Sequence, residues 1–312
     1  MQKRVEILGI DHGYRNMKTS HICFPSAIHE INEKPAILDD VLEFQGKYYN
    51  ASGENIVAVD IHDKTASKEF YLLTLVAIAR ELKYRNVSVK DTTIRIAAGL
   101  PQQWYMAQMK EFKHMLKQNQ TVNFNFEGVH YKVVLEDANV YMQGISACLE
   151  YMQKFPYFII VDIGGETMDV IPVKNGKPDE SNCSISTLGM IWLYKHVKDC
   201  VRTELLNEVP ETYIENYIKT SKKEKKENNN YEKIIKRILM DYTNTVMTSL
   251  REKKFNLDLT PVVFVGGGEE VIRNFGNYNA DITYFIDDIC SNAKGYERCE
   301  RVVYTTRQKG RK

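Results

Sequence analysis

The stretch FIIVDIGGETMDV, residues 158–170, decides how this chain is read. Its first four residues are apolar without a break, which suits a strand covered on both faces. That strand runs into Asp162, then Gly164 and Gly165, then Thr167 and Asp169. A carboxylate ending a buried strand is poorly placed for stability alone. The glycines permit a tight hairpin whose backbone N–H groups can come close to a ligand. Taken alone, one Asp-x-Gly hairpin is an ordinary turn.

The pattern occurs twice. ILGIDHGYRNMKT (7–19) and IIVDIGGETMDV (159–170) are each an apolar strand, then Asp, then Gly two residues later, then a return strand. Further on, RIAAGLP (95–101) and VFVGGGEE (263–270) are each an apolar strand opening into glycine. The same unit near the start of each half suggests duplication, with a ligand between the halves. Facing glycine hairpins can grip phosphates through backbone N–H groups. Mg²⁺ prefers a few carboxylates, phosphate oxygens and retained waters, so Asp11 and Asp162 are suited to hold those waters. Lys18 can reach a phosphate as a point charge. Gly266, Gly267 and Gly268, opening a helix, can let a nucleoside lie against bare backbone. Neither a P-loop nor a G-x-G-x-x-G fingerprint is present.

The bulk numbers fit a nucleotide-binding protein without demanding one. The 312 residues are enough for two domains, and the formal net charge of +1 excludes a polycation built for nucleic acid. No apolar run approaches the roughly 20 residues that cross a bilayer, and the start of the chain has no signal-peptide pattern. The six cysteines lack CxxC spacing and read as reduced thiols of a cytosolic protein, neither a disulfide framework nor a zinc site.

Strand and helix patterns alternate, so the expected class is α/β. Strands are expected at 4–10, within 17–28, in pieces of 41–60 including NIVAVD, at 92–101, and as a hairpin from TVNFNF and VHYKVVLE. Helices are expected at 69–85, after Pro101, at 144–155, at 186–206 with Ser186 or Thr187 as N-cap, and at 231–255. SKKEKKENNN (221–230) and the tail RVVYTTRQKGRK, with five basic residues, are expected to be solvated. The easiest boundary lies near Pro156. Domain I is then 1–156, with residues from about 290 to 312 returning to it, and domain II is 157–289.

The order DHGYRNMK, EDANVYMQG, VDIGGETMDV, FVGGGEEV resembles the actin-like ATPase superfamily over nearly the whole chain. The cues D-x-G-Y-x-N-x-K at Asp11–Lys18, IAAGLP and LGMIWLY look most like the bacterial plasmid-segregation type, the ParM/StbA group. The resemblance implies duplicated ribonuclease H-like domains with a nucleotide cleft between them. It implies a first phosphate loop with Asp11, Gly13, Asn16 and Lys18, and a second with Asp162, Gly164, Gly165 and Thr167. Gly266 to Gly268 would face the nucleoside. The catalytic candidates are Gln143, which would orient the attacking water, Glu136 as its rival, and Asp162. Asp11 and Asp162 are the expected Mg²⁺ residues, acting through water. Tyr14 and Arg15 depart from actin, where the first loop has small residues. The purine contacts, guessed within 210–220, leave ATP against GTP open.

What the resemblance implies is a cytoplasmic, bacterial, ATP- or GTP-hydrolysing filament protein that segregates plasmid DNA. Its partners would be further copies of itself, head to tail, and a DNA-binding adaptor on centromeric plasmid DNA. Neither a membrane partner nor direct DNA contact is expected. Other readings of the same superfold are a small-molecule kinase, a cell-shape actin homologue and a chaperone ATPase. Against these, the sequence shows no zinc-cluster motif of the short sugar kinases and no amphipathic pattern at its N-terminus, and 312 residues are expected to leave no room for a separate substrate-binding domain.

Overall fold

The computed structural model describes residues 5–52, 64–65 and 67–309, so NIVAVD at 55–60 lies outside the described residues. The chain forms two compact units. One holds the residues up to Ala147 and those from Cys290 onward; the other is Cys148–Ile289.

The first unit opens with a strand that continues through the first Asp, β1 (Val5–His12). An antiparallel return follows as β2 (Asn16–Thr19) and β3 (Cys23–Pro25). The sequence pattern leads to the expectation of one return strand here. The break comes at Ser20–Ile22, where Thr19 N donates to Ile22 O at 2.8 Å. Then come β4 (His29–Ile31), β5 (Val41–Phe44), β6 (Lys47–Asn50), α1 (Lys68–Tyr84), β7 (Lys90–Leu100), α2 (Gln102–Leu116), β8 (Thr121–Phe126) and β9 (Val129–Met142). Among the described residues nine strands form one sheet, in the order β3-β2-β1-β7-β9-β8-β5-β6-β4. At its centre β1, β7 and β9 run parallel.

Helix α1 is capped by Ser67, whose hydroxyl accepts from Phe70 N. It is buried nearly all round, with Phe70, Leu73, Val76 and Ala77 among its core residues, as expected of an interior helix. Leu8 and Ile10 of β1 pack in the same cluster. Because side chains alternate along a strand, Gly9 and Asp11 face the other way.

The second unit contains α3 (Leu149–Lys154), β10 (Tyr157–Ile163), β11 (Met168–Lys174), β12 (Lys177–Pro178), β13 (Ser184–Ser186), α4 (Met190–Leu205), α5 (Glu211–Thr220), α6 (Asn230–Glu252), β14 (Val262–Val265), α7 (Glu269–Phe275) and β15 (Thr283–Phe285). Its sheet has the order β12-β11-β10-β14-β15. This repeats β3-β2-β1-β7-β9: an antiparallel meander, then two parallel strands. Ile159, Val161 and Ile163 pack against α4 to α7. Phe158, on the opposite face, meets Tyr151 of α3 and Phe155 just after it. That contact is why the units divide at Ala147–Cys148 and not at Pro156: helix α3 covers the second sheet.

One further departure has a tertiary cause. The helix expected from residue 186 begins at Met190, after β13, with Gly189 as an N-cap that supplies no side-chain bond. Hairpin carbonyls do the capping, since Met190 N donates to Gly164 O and Ile191 N to Gly165 O. The basic tail is helical through 309. It belongs to α8 (Ser291–Lys309), which returns to the first unit and lies on β1 and β7. A Cβ on Gly9 would stand 1.9 Å from Ala293 O, and one on Gly99 would stand 2.1 Å from the Tyr296 ring. Bare backbone therefore lets α8 sit flush on the sheet. The cysteines form no disulfide. Among the described residues no helix is long and apolar enough to cross a membrane.

Candidate functional site

In the first unit the predicted residues gather at the carboxyl ends of the parallel strands, where open α/β sheets bind ligands. Ile10 is level with Ala98, and Ala98 with Val140. Asp11 and His12 end β1, and Gln143 follows β9, with its N–H donating to Leu100 O at 2.9 Å. Asp11 is 1 % exposed and stands opposite Lys18, whose Nζ lies 3.3 Å from Asp11 Oδ2. The hydroxyl of Tyr296, on α8, donates to Asp11 Oδ1 at 3.5 Å. Gly13 makes the turn: a Cβ there would stand 2.5 Å from Asn16 O. Gly13, Asn16, Lys18 and Gln143 are all half-buried, within reach of solvent.

Tyr14 turns into the core beside Phe70. Lys64, buried, donates to His12 O and lies 4.6 Å from the Tyr14 ring centre. His12 is fully buried and bonded to Thr74 Oγ1 at 2.8 Å. Burial, followed by the Lys64 charge, pushes its imidazole down to about 3, so it is neutral and serves packing.

Glu136 does not join this group. It lies about midway along β9, beside the bulge opposite Ile94 and Arg95, five or more residues from the level of Asp11. At about 3.3 Å per residue that is roughly 16 Å. Its carboxylate is bonded to Arg95 at 3.3 Å, in a cluster with Asp137 and the buried Glu300. Glu136 therefore lies apart, in position and in partner, from the residues gathered at the end of β1.

The second unit repeats the arrangement at the end of β10. Asp162 is 2 % exposed and opposite Asp169, seven residues on, as Lys18 is seven on from Asp11. Gly164 N donates to Thr167 O at 2.8 Å and closes the hairpin. Thr167 Oγ1 donates to Asp169 Oδ2 at 3.0 Å. Gly164, Gly165 and Thr167 are half-buried at the tip. The glycine triplet is joined to the same hairpin. Gly266 has φ +90°, and a Cβ on it would stand 2.5 Å from Asp162 Oδ1. Gly268 N donates to Ile163 O at 3.1 Å, whereas Gly267 has open space around its Cα. Directly after the triplet, Glu269 is buried, and burial pushes its carboxyl up to about 7 despite Arg273 at 3.2 Å.

Sequence reasoning missed Lys64, Tyr296 and Asn292, whose Oδ1 accepts from Gly144 N at 2.8 Å and holds the turn after Gln143. Nothing local to these residues marks them; long-range contacts place them. Among the described residues no three His, Cys, Asp or Glu side chains cluster as a resident metal would require.

Comparison with known proteins assigns both halves. A family model described as the N-terminal domain of actin-like proteins matches residues 9–145, and one described as the C-terminal domain of the archaeal actin homologue MreB-like proteins matches 160–275. No curated protein matches. Among solved structures, the archaeal actin homologue Ta0583 aligns with a TM-score of 0.77 at 19% identity, over 95% of this chain and 99% of that one; it is also known in complex with ADP. ParM of Bacillus thuringiensis, solved with ATP, aligns at 0.72 and 14% over 97% and 100% of the two chains. The Alp12 filament structure aligns at 0.69 and 16% over 96% and 99%. The two-unit α/β fold is shared with all three.

Proposed function

The chain is an actin-like protein, and on that premise we propose that it is a nucleoside triphosphatase that assembles into filaments and segregates plasmid DNA. The observation that carries this is the repeated hairpin. Each unit ends its central strand in a buried Asp followed by a half-exposed glycine turn, and in the second unit Gly266 lies against that Asp. The relatives with this fold are known with ADP, with ATP and as a filament.

In this reading the two hairpin tips hold the phosphates of ATP or GTP through backbone N–H groups. Gly13, Asn16, Lys18, Gly164, Gly165 and Thr167 surround them. Asp11 and Asp162 orient the waters of Mg²⁺ entering with the nucleotide. Gly266 to Gly268 take the nucleoside. Gln143 orients the attacking water without taking its proton, as a loose phosphoryl-transfer transition state allows. Hydrolysis then times the stability of a head-to-tail polymer. An adaptor bound to centromeric DNA would link filament to plasmid.

The test is light scattering and phosphate release with Mg²⁺ and ATP, and separately GTP, with images taken at the plateau. Nucleotide-dependent filaments are expected, with turnover lost in Asp162→Asn and Gln143→Ala. Hydrolysis without polymer over a range of protein and salt concentrations would sink the filament reading and redirect the search to kinase substrates. Plasmid loss in cells carrying the Gln143→Ala protein tests the segregation role.

A further inference from the structure

Helix α8 presents three buried residues, Asn292, Tyr296 and Glu300, to the end of β9. Their spacing of four puts them on one helical face. Each has a partner close to Gln143 in the chain. Gly144 N donates to Asn292 Oδ1 at 2.8 Å. The Tyr296 ring stacks on the Tyr141 ring, with centroids 6.4 Å apart. Glu300 accepts from the Tyr141 hydroxyl at 2.5 Å and from Asn139 Nδ2 at 2.7 Å.

Two of these contacts bear on residues that the nucleotide reading uses. Gln143 is held from both sides: its own N–H donates to Leu100 O at 2.9 Å, and the next N–H, that of Gly144, goes to Asn292. Gly144 is buried and turns the chain in the left-handed region, φ +73°. A buried N–H needs an acceptor. Because α8 supplies it, the direction in which Gln143 leaves β9 is set by the helix and not by the turn alone. Tyr296 does the same for Asp11. Its hydroxyl is 3.5 Å from Asp11 Oδ1, while Lys18 takes Oδ2 at 3.3 Å, so both carboxylate oxygens are held. A notch in β7 seats that hydroxyl: a Cβ on Gly99 would stand 2.1 Å from its oxygen.

The helix has other anchors. Glu297 is bonded to Arg85 and to the Ser20 hydroxyl, and Glu300 to Arg95. Fastening α8 to the sheet therefore does not by itself call for an amide at 292 and a phenol at 296. These two are one turn apart on a 19-residue helix, so the group that holds Gln143 and the group that holds Asp11 move as one body.

We propose that Asn292 and Tyr296 are positioning residues for phosphoryl transfer. Asn292 holds Gln143 where it meets the attacking water, and Tyr296 holds the Asp11 carboxylate where it meets the waters of Mg²⁺. Both roles rest on the triphosphatase reading. Their effects are separate, because one acts on the rate of the chemical step and the other on the binding of the metal–nucleotide complex.

The test uses the full-length protein with whichever of ATP and GTP wild type turns over. Asn292→Ala should slow single-turnover phosphate release about tenfold and leave the affinity for a fluorescent analogue of that nucleotide within twofold. In a Gln143→Ala background it should cost nothing further, because the group it positions is gone. Tyr296→Phe keeps the ring on Tyr141 and Gly99, so the fold is retained. Its nucleotide affinity in EDTA should equal that of wild type, while the gain in affinity on adding Mg²⁺ should fall about tenfold. In an Asp11→Asn background that gain should fall no further. Residues that only fasten α8 would lower the melting temperature and show losses additive with Gln143→Ala and Asp11→Asn. That result, or wild-type rates and Mg²⁺ dependence in both variants, would overturn the two roles and leave the proposed function standing. Wild-type protein that releases no phosphate from either nucleotide would overturn both.

Discussion

Asp11 and Lys18 face each other across the first hairpin, with the ammonium 3.3 Å from the carboxylate and both side chains largely withdrawn from water. A phosphate arriving at Gly13 would compete for that ammonium. Lys18→Met should weaken triphosphate binding tenfold or more, about 1.5–3 kcal/mol for a charge-assisted bond. It should also destabilise the fold, because Asp11 stays buried without its counter-charge. Asp11→Asn with Lys18→Met should recover the melting temperature and not the binding. Calorimetric titration beside thermal melts separates the two effects.

The glycine triplet allows a cleaner separation. Gly266→Ala forces a Cβ to within 2.5 Å of Asp162 Oδ1 at a φ of +90°, so it should cost about 2 kcal/mol or more in urea unfolding. Gly267→Ala meets open space and should cost at most about 1 kcal/mol. If the nucleoside lies on this backbone, Gly267→Ala should lose nucleotide affinity while keeping its stability. Unchanged affinity would move the nucleoside elsewhere.

Glu269 predicts a pH dependence of stability. Burial pushes its carboxyl up to about 7 in the folded state. A raised folded value means that the protonated form is favoured by folding. The stability it contributes is complete below the ordinary carboxylate range and is lost as pH rises through about 7. Wild type should therefore lose about 1–2 kcal/mol between pH 5 and 8 relative to Glu269→Gln, after allowance for solvent screening. Parallel melting curves at the two pH values would refute the assignment.

Glu136 and Gln143 make opposite predictions. Glu136 is a half-exposed partner of Arg95, which also holds Glu300 and Asp137. Glu136→Gln should change stability by no more than about 1 kcal/mol and leave turnover within twofold. Gln143→Ala should reduce turnover by about 10²-fold with nucleotide affinity retained, as expected for an orienting group. Arg95→Met, which strands the buried Glu300, should cost about 3–5 kcal/mol. Single-turnover phosphate release and urea melts measure all three.

Residues 158–170 show what could be read in advance. An unbroken apolar run means a strand covered on both faces, and Ile159 to Val161 are indeed wholly buried. The Asp-x-Gly spacing means a hairpin, and Asp162 does pair across one. Helix α4 shows what could not. Ser186 and Thr187 are good capping residues by local chemistry, but the carbonyls of Gly164 and Gly165 bind the first N–H groups of α4, so the helix starts later. Tertiary bonds override a local preference worth about 1 kcal/mol.

By itself the sequence determined the α/β class, the two repeated hairpins and the position of each Asp at a strand end. Those follow from apolar period and glycine placement, which act over a few residues. Tertiary structure alone decided that α3 joins the second unit, that Glu136 is held by Arg95, and that Tyr296, 285 residues from Asp11, bonds to it. Such partners are selected by which surfaces meet after the strands have paired, and no local pattern carries that information.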